Sequence, residues 1–204
     1  MRDETIGEFL DQLAARVPAP GGGATAALHA AQAAALLAMV ARYSDGPRYD
    51  AELMGHIVKE ADGLTNKALA LVQADADAFR LVADAYRLPK ETAEQQTARS
   101  AAIAEAIAGA ARPPAGVMRV AWQVIQLAEM LLPTGNRSVI TDVAAAAEAA
   151  RAAAVTTRVN VEVNLRGIKD PALRDEFAAA TAVADEITER ADRIVAAVRE
   201  EIAR

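Results

Sequence analysis

Apolar residues recur every three or four positions along most of this chain, the spacing of helices that each bury one face. The first such stretch, residues about 3–15, sets Ile6, Phe9, Leu10 and Leu13 on one side. It stops before Pro18-Ala19-Pro20-Gly21-Gly22-Gly23, after which an Ala/Leu-rich helix runs to about Tyr43. Thr25, His29 and Gln32 share a face of that helix, as a seam between helices or as the wall of a polar pocket. Ser44-Asp45-Gly46-Pro47 is a turn by composition. From Asp50 to Arg87 one stripe continues through Leu53, Ile57, Ala61, Leu64, Ala68, Leu71, Asp75, Phe79, Val82 and Tyr86. Asp75 lies inside the stripe, whereas Asp77 is rotated off it.

Leu88-Pro89 breaks the long helix, and Thr92-x-x-Gln95 has the form of a capping box for another, lasting to about Ala111. Pro113-Pro114 separates that helix from one carrying Val117, Val120, Val124, Leu127 and Leu131. Pro133-Thr134-Gly135-Asn136 reads as a turn, with Ser138 or Thr141 available to cap the next helix. That helix has Asp142 in or near its first turn and Thr157, Asn160 and Asn164 late in its length. Asp170-Pro171 starts the last helix. Sustained alternation is absent except in the ambiguous Val159–Val163, so the prediction is a single all-α domain over residues 1–204, a bundle of long antiparallel helices.

Composition narrows the chemistry. A hydrophobic content of 53% with only 3% aromatics, dominated by alanine, favours closely packed helices. A net charge of −6 without a basic stripe argues against nucleic acid. No cysteine and two histidines, His29 and His56, leave little for a metal centre. The opening Met1-Arg2-Asp3-Glu4 lacks the apolar core of a signal peptide, and the uncharged run Ala24–Ala41, mostly alanine with His29 and Gln32 inside it, is a weak membrane candidate. The expectation is a cytoplasmic protein with no membrane partner.

Each polar candidate has two readings at this stage. The three glycines permit unusual torsions or a close approach to a helix N-terminus that can bind anions, yet they lack the Lys-Ser/Thr of a phosphate loop. A carboxylate on an apolar stripe costs several kcal/mol unless paired, so Asp75 is a satisfied structural acid or a group with a working, perturbed pKa. Asp142 in a first turn is stabilised by the helix dipole whatever else it does. Asn160 and Asn164, four apart, brace neighbouring helices or read a polar ligand edge. His29 is a core histidine by default. Arg87 and Lys90 are ordinary helix-end cations unless a substrate carboxylate comes near.

Several of these stretches occur together in a known family. Phe9-Leu10-Asp11-x-Leu13, Pro18-x-Pro20-Gly21-Gly22-Gly23, Asp75-x-x-x-Phe79 and Ala85-Tyr86-Arg87-Leu88-Pro89-Lys90 come first. Gly135-Asn136 with Thr141-Asp142, Asn160-Val161-x-x-Asn164-Leu165 and Ile168-x-Asp170 follow in order. Together they resemble the cyclodeaminase/cyclohydrolase family: the C-terminal half of formiminotransferase-cyclodeaminase and its stand-alone bacterial relatives. The resemblance implies an all-helical homodimer with substrate held near the glycine turn. It implies a small-molecule tetrahydrofolate substrate and no tightly bound cofactor or metal. The implied reactions are closure of 5-formiminotetrahydrofolate to the 5,10-methenyl form with loss of ammonia, and interconversion of methenyl and 10-formyl forms.

The resemblance marks positions, to which roles are assigned as follows. Asp75 would be the acid or base, and Asp142 would steady developing cation or hold the pterin amino edge. Gly21, Gly22, Gly23, Asn136, Asn160 and Asn164 would bind substrate, with Lys90 or Arg87 receiving the glutamate tail. One departure stands out. Relatives often carry a lysine-rich run where this chain has Ser44-Asp45-Gly46-Pro47-Arg48-Tyr49, which implies weaker binding of the tail, use of a different pteridine, or loss of the activity. The rival is a catalytically silent helical dimer binding a folate-like ligand or a protein. Convergence of Asp75, Asn136, Asp142, Asn160 and Asn164 on one cavity would favour the enzyme.

Overall fold

A computed structural model describes residues 4–168 and 170–203. Seven α-helices account for most of them: α1 (Ile6–Ala14), α2 (Gly22–Tyr43), α3 (Ala51–Arg87), α4 (Ala93–Ala110), α5 (Arg112–Thr134), α6 (Thr141–Leu165) and α7 (Pro171–Ile202). A 3₁₀ turn, Arg137–Val139, precedes α6, and no strand occurs among the described residues. The ambiguous Val159–Val163 is helical, as the alanine-rich flanks on its N-terminal side favour.

α2 is the axis of the bundle, packed on α3, α5 and α6, with α7 behind α5 and α6. Its buried positions are almost all alanine, and such small side chains let neighbouring helices approach closely. By length and composition α2 could span a bilayer, but 61% of its most apolar window is buried inside the protein. The main core continues through Leu37, Ile57, Val124, Leu131, Ile187 and Ile194. α4 buries no residue fully and rests chiefly on α3. A smaller cluster of Ala111, Ala115, Val161, Ile168 and Phe177 joins the α4–α5 junction to the end of α6 and the start of α7.

Local chemistry explains the helix ends. Thr5 and Glu8 form a reciprocal capping box on α1, and Thr92 and Gln95 form another on α4. The Asp50 carboxylate accepts the Glu52 and Leu53 amides at 3.0 Å, starting α3, which stops at Arg87 ahead of Pro89.

Four sequence expectations need adjusting. α1 is shorter than predicted and buries only Phe9, while Ile6 and Leu10 remain exposed; the predicted first residue, Asp3, lies outside the described residues. Pro113 and Pro114 sit inside the first turn of α5, where a missing N–H is no loss. Pro133 falls in the last turn of that helix. Neither Ser138 nor Thr141 caps α6, because Asn136 caps the 3₁₀ turn that leads into it.

Candidate functional site

The long stripe on α3 divides into two halves. Ile57, Ala61, Leu64 and Ala68 face the core, after which full burial passes to Val72 and Ala76. The stripe's second half, Asp75, Phe79, Val82 and Tyr86, is thereby turned toward a cavity of about 620 Å³. The 3.6-residue period carries a fixed spacing gradually around a 37-residue helix, so one stripe serves first as core and then as cavity wall.

The N-terminus of α2 forms the polar end of this cavity. Gly21 is the N-cap and offers no side-chain cap to the free amides of the first turn. Asp75 reaches across from α3 instead, with its carboxylate held by the Ala24 amide. A methyl group on Gly23 would fall onto that carboxylate, so glycine here makes room for an acid. None of the three glycines has positive φ, since Gly46 alone does among the described residues; strained torsion does not explain the run. On the other side of the turn, a methyl on Gly22 would only touch the Asn160 carboxamide, at 3.8–3.9 Å.

Burial pushes the Asp75 carboxyl above its ordinary value of 3.8, and the Ala24 amide opposes the shift. Asn160 keeps its buried Nδ2 without a hydrogen-bond partner, a donor held ready at the cavity. Asn164 also lines the cavity and donates from Nδ2 to the Ala110 carbonyl at 3.2 Å, tying α6 to the end of α4. Phe79 and Tyr86, each about half exposed, form an aromatic wall with Val82. Tyr86 is fixed by Arg99 of α4, which donates to its carbonyl at 3.1 Å and lies over its ring.

Gly21, Gly22, Gly23, Asp75, Asn160 and Asn164 therefore meet in one cavity, drawn from α2, α3 and α6. Lys90, Asn136 and Asp142 do not line it. Lys90 follows the α3 break, where its amide donates to the Glu91 side chain. Arg87 is paired with Asp84 at 2.9 Å. Asn136 sits at the far end of α2, donating to the Tyr43 carbonyl at 2.6 Å and from its own amide to Ser44 Oγ at 2.8 Å. It lines a separate cleft with Arg48, Tyr49 and Arg137. Asp142 lies about 27 Å along α6 from Asn160, from a rise of ~1.5 Å per residue. His29 buries an unpartnered Nδ1 on α2 outside the cavity, and His56 is exposed. No group of three or more acids and histidines suited to a metal occurs among the described residues.

Sequence reading overlooked Arg166, Val163 and Ile107, which also line the cavity. Val163 could have been found from its spacing to Asn160. Ile107 comes from a helix with no buried residue, and Arg166 is a cation at an ordinary helix end, so neither carried a signal.

Comparison with known proteins agrees with this geometry. The sequence profile of the formiminotransferase-cyclodeaminase family matches residues 5–183. The chain is 38% identical over 177 residues to the methenyltetrahydrofolate cyclohydrolase of Methylorubrum extorquens, covering 85% of each chain. It is 30% identical to mouse formimidoyltransferase-cyclodeaminase over 177 residues, which is 33% of that longer protein. The crystal structure of formiminotetrahydrofolate cyclodeaminase from Thermotoga maritima superposes with a TM-score of 0.86 at 27% identity, covering 98% of both chains. This all-α chain belongs to the formiminotransferase-cyclodeaminase family.

Proposed function

We propose that this chain is a one-carbon tetrahydrofolate enzyme that interconverts 5,10-methenyl- and 10-formyltetrahydrofolate, with Asp75 as its proton-transfer group. The observation that carries the reading is Asp75 itself, a carboxyl of raised pKa set at a helix N-terminus beside a glycine kept free of side chain. The hydrolytic direction is named first because the M. extorquens cyclohydrolase is similar over 85% of its own length.

In hydrolysis, water attacks the methenyl carbon and gives one proton to the Asp75 carboxylate; the remaining hydroxyl proton passes to N5 as the bond from that carbon to N5 breaks, leaving the formyl group on N10. Burial raises the basicity of the carboxylate, which suits it to that transfer. The unpaired Nδ2 of Asn160 and the first-turn amides of α2 supply donors for an oxygen developing at the same carbon. The likeness to the T. maritima cyclodeaminase supports a second reading on the same groups. There N10 attacks the formimino carbon and the C–N bond to the terminal nitrogen breaks. Ammonia leaves with one proton from N10 and one from the neutral Asp75 acid.

A homodimer belongs to the same reading. Its support is the side of α2 left uncovered: Leu28, Gln32, Ala35, Leu36 and Met39 are partly or fully exposed along the most apolar helix, and Tyr43 continues them at 60% exposure. Light scattering on the purified chain should give twice the monomer mass.

The activity is tested by following the near-ultraviolet absorbance of the methenyl form. Enzyme-dependent decay from 5,10-methenyltetrahydrofolate establishes hydrolysis, and growth from 5-formiminotetrahydrofolate establishes cyclodeamination. No change over background from either substrate would sink the proposal.

A further inference from the structure

The functional reading leaves the glutamate end of the substrate without a partner, because Lys90 is outside the cavity and Arg87 is engaged by Asp84. We propose that Arg166 is the specificity residue that receives the glutamate carboxylate, and that the end of α6 measures the substrate's length. This rests on the folate reading of the cavity.

Three observations carry it. Among the described residues, Arg166 is the one cation lining the cavity, and no acid is paired with it. The nearby pairs on α6 are already closed, Arg158 with Asp185 and Arg151 with Glu148 and Asp192. The spacing also fits. Asn160 adjoins the glycine turn, and at a rise of ~1.5 Å per residue Arg166 stands about 9 Å farther along the α6 axis. That is close to the reach of a para-substituted benzoyl ring with its amide, the spacer between N10 and glutamate.

The wall between the two positions is largely apolar, and its polar member, Asn164, is engaged with the Ala110 carbonyl. Val163 faces the cavity midway, with Ile107 and Pro114 opposite. Gly167 lets the chain turn closely over α4, since a methyl there would meet Ile107 Cδ1 at 2.7 Å. The sequence of polar donor, apolar strip and cation along one helix end matches a reactive heterocycle, an aryl ring and a carboxylate. A guanidinium also suits a carboxylate geometrically, through two parallel N–H donors.

The test compares 5,10-methenyltetrahydrofolate with 5,10-methenyltetrahydropteroyl amide, which keeps the ring system and the methenyl bridge and ends in a neutral amide in place of glutamate. Wild-type enzyme should prefer the glutamyl substrate, and R166Q should lose that preference through KM. The expected loss is about tenfold, between the few-fold of an exposed ion pair and the roughly hundredfold of a buried charged hydrogen bond. R166K should recover part of it, and the wild-type preference should shrink at high salt. A melting temperature near wild type for R166Q separates this from a helix-capping role.

Equal losses on both substrates, or an unchanged KM for the glutamyl substrate, would overturn the assignment. Wild-type protein inactive on both substrates would overturn the functional reading itself, and this inference with it.

Discussion

Alanine substitution at each glycine of Gly21-Gly22-Gly23 separates room for an acid from flexibility as the reason for the run. At Gly21 an added methyl meets nothing within 4 Å, and the extended backbone there, φ −145°, suits any residue. At Gly22 it makes ordinary contact with Asn160. At Gly23 it collides with the Asp75 carboxylate. Overpacking of this kind costs about 1–3 kcal/mol, offset by up to ~1 kcal/mol because alanine favours helix. Asp75 can also yield by rotating about χ1, which holds the net cost near the lower end. At about 2–4 °C per kcal/mol for a chain of this size, G23A should melt only a few degrees below wild type. Turnover should suffer far more, because relief of the clash moves the carboxyl off the Ala24 amide; a displacement of order 1 Å can cost ~10²-fold. The methenyl absorbance assay, run beside thermal melts of all three variants, gives both quantities. G21A and G22A should stay within a fewfold of wild type, with G23A down by about 10²-fold while still folded. Comparable losses at all three positions, or full activity in G23A, would refute the account.

The raised pKa of Asp75 has a consequence for stability with a definite sign. Between its unfolded and folded pKa values the native state binds more protons, so this group's contribution to stability falls as pH rises through that window, starting near the ordinary 3.8. D75N removes the cost of a buried charge and keeps an oxygen for the Ala24 amide. Its melting temperature should match or exceed wild type at neutral pH, with the gap closing as pH falls below the raised pKa. Its turnover should drop by ~10²–10⁴-fold, and a melt well below wild type at pH 7 would favour a structural acid. N136A breaks the latch to Tyr43 and should cost about 1 kcal/mol of stability with turnover intact, measured by denaturant titration alongside the assay. N160A removes the unpaired donor and should lower kcat/KM by about tenfold with little change in melting temperature.

The helices were legible because their signals are local. Thr92 with Gln95, Asp170 ahead of Pro171, and the proline after Leu88 each act within one turn, and the structure uses all three. Asp75 was conspicuous for the same reason, since a carboxylate on an apolar stripe violates the pattern around it. What lay beyond reach was where that stripe faces. The same spacing describes Ile57 against the core and Phe79 against a cavity, and only the neighbours of α3 decide between them. Asn136, Asp142 and Asn160 illustrate the limit. All three are polar residues in or beside alanine-rich helices, yet long straight helices carry Asn136 and Asp142 to the opposite end of the bundle from Asn160. Arg166 is the converse case, a residue with no local distinction that gains significance from the uncommitted cavity it faces. In a bundle built on 22- to 37-residue helices, sequence pattern reports which side of a helix a group occupies, whereas function depends on which end. That second coordinate comes from the connections between helices, and the glycine turn before α2 fixes it here: it sets the start of α2 against the C-terminal half of α3 and leaves the Asp75 carboxyl between them.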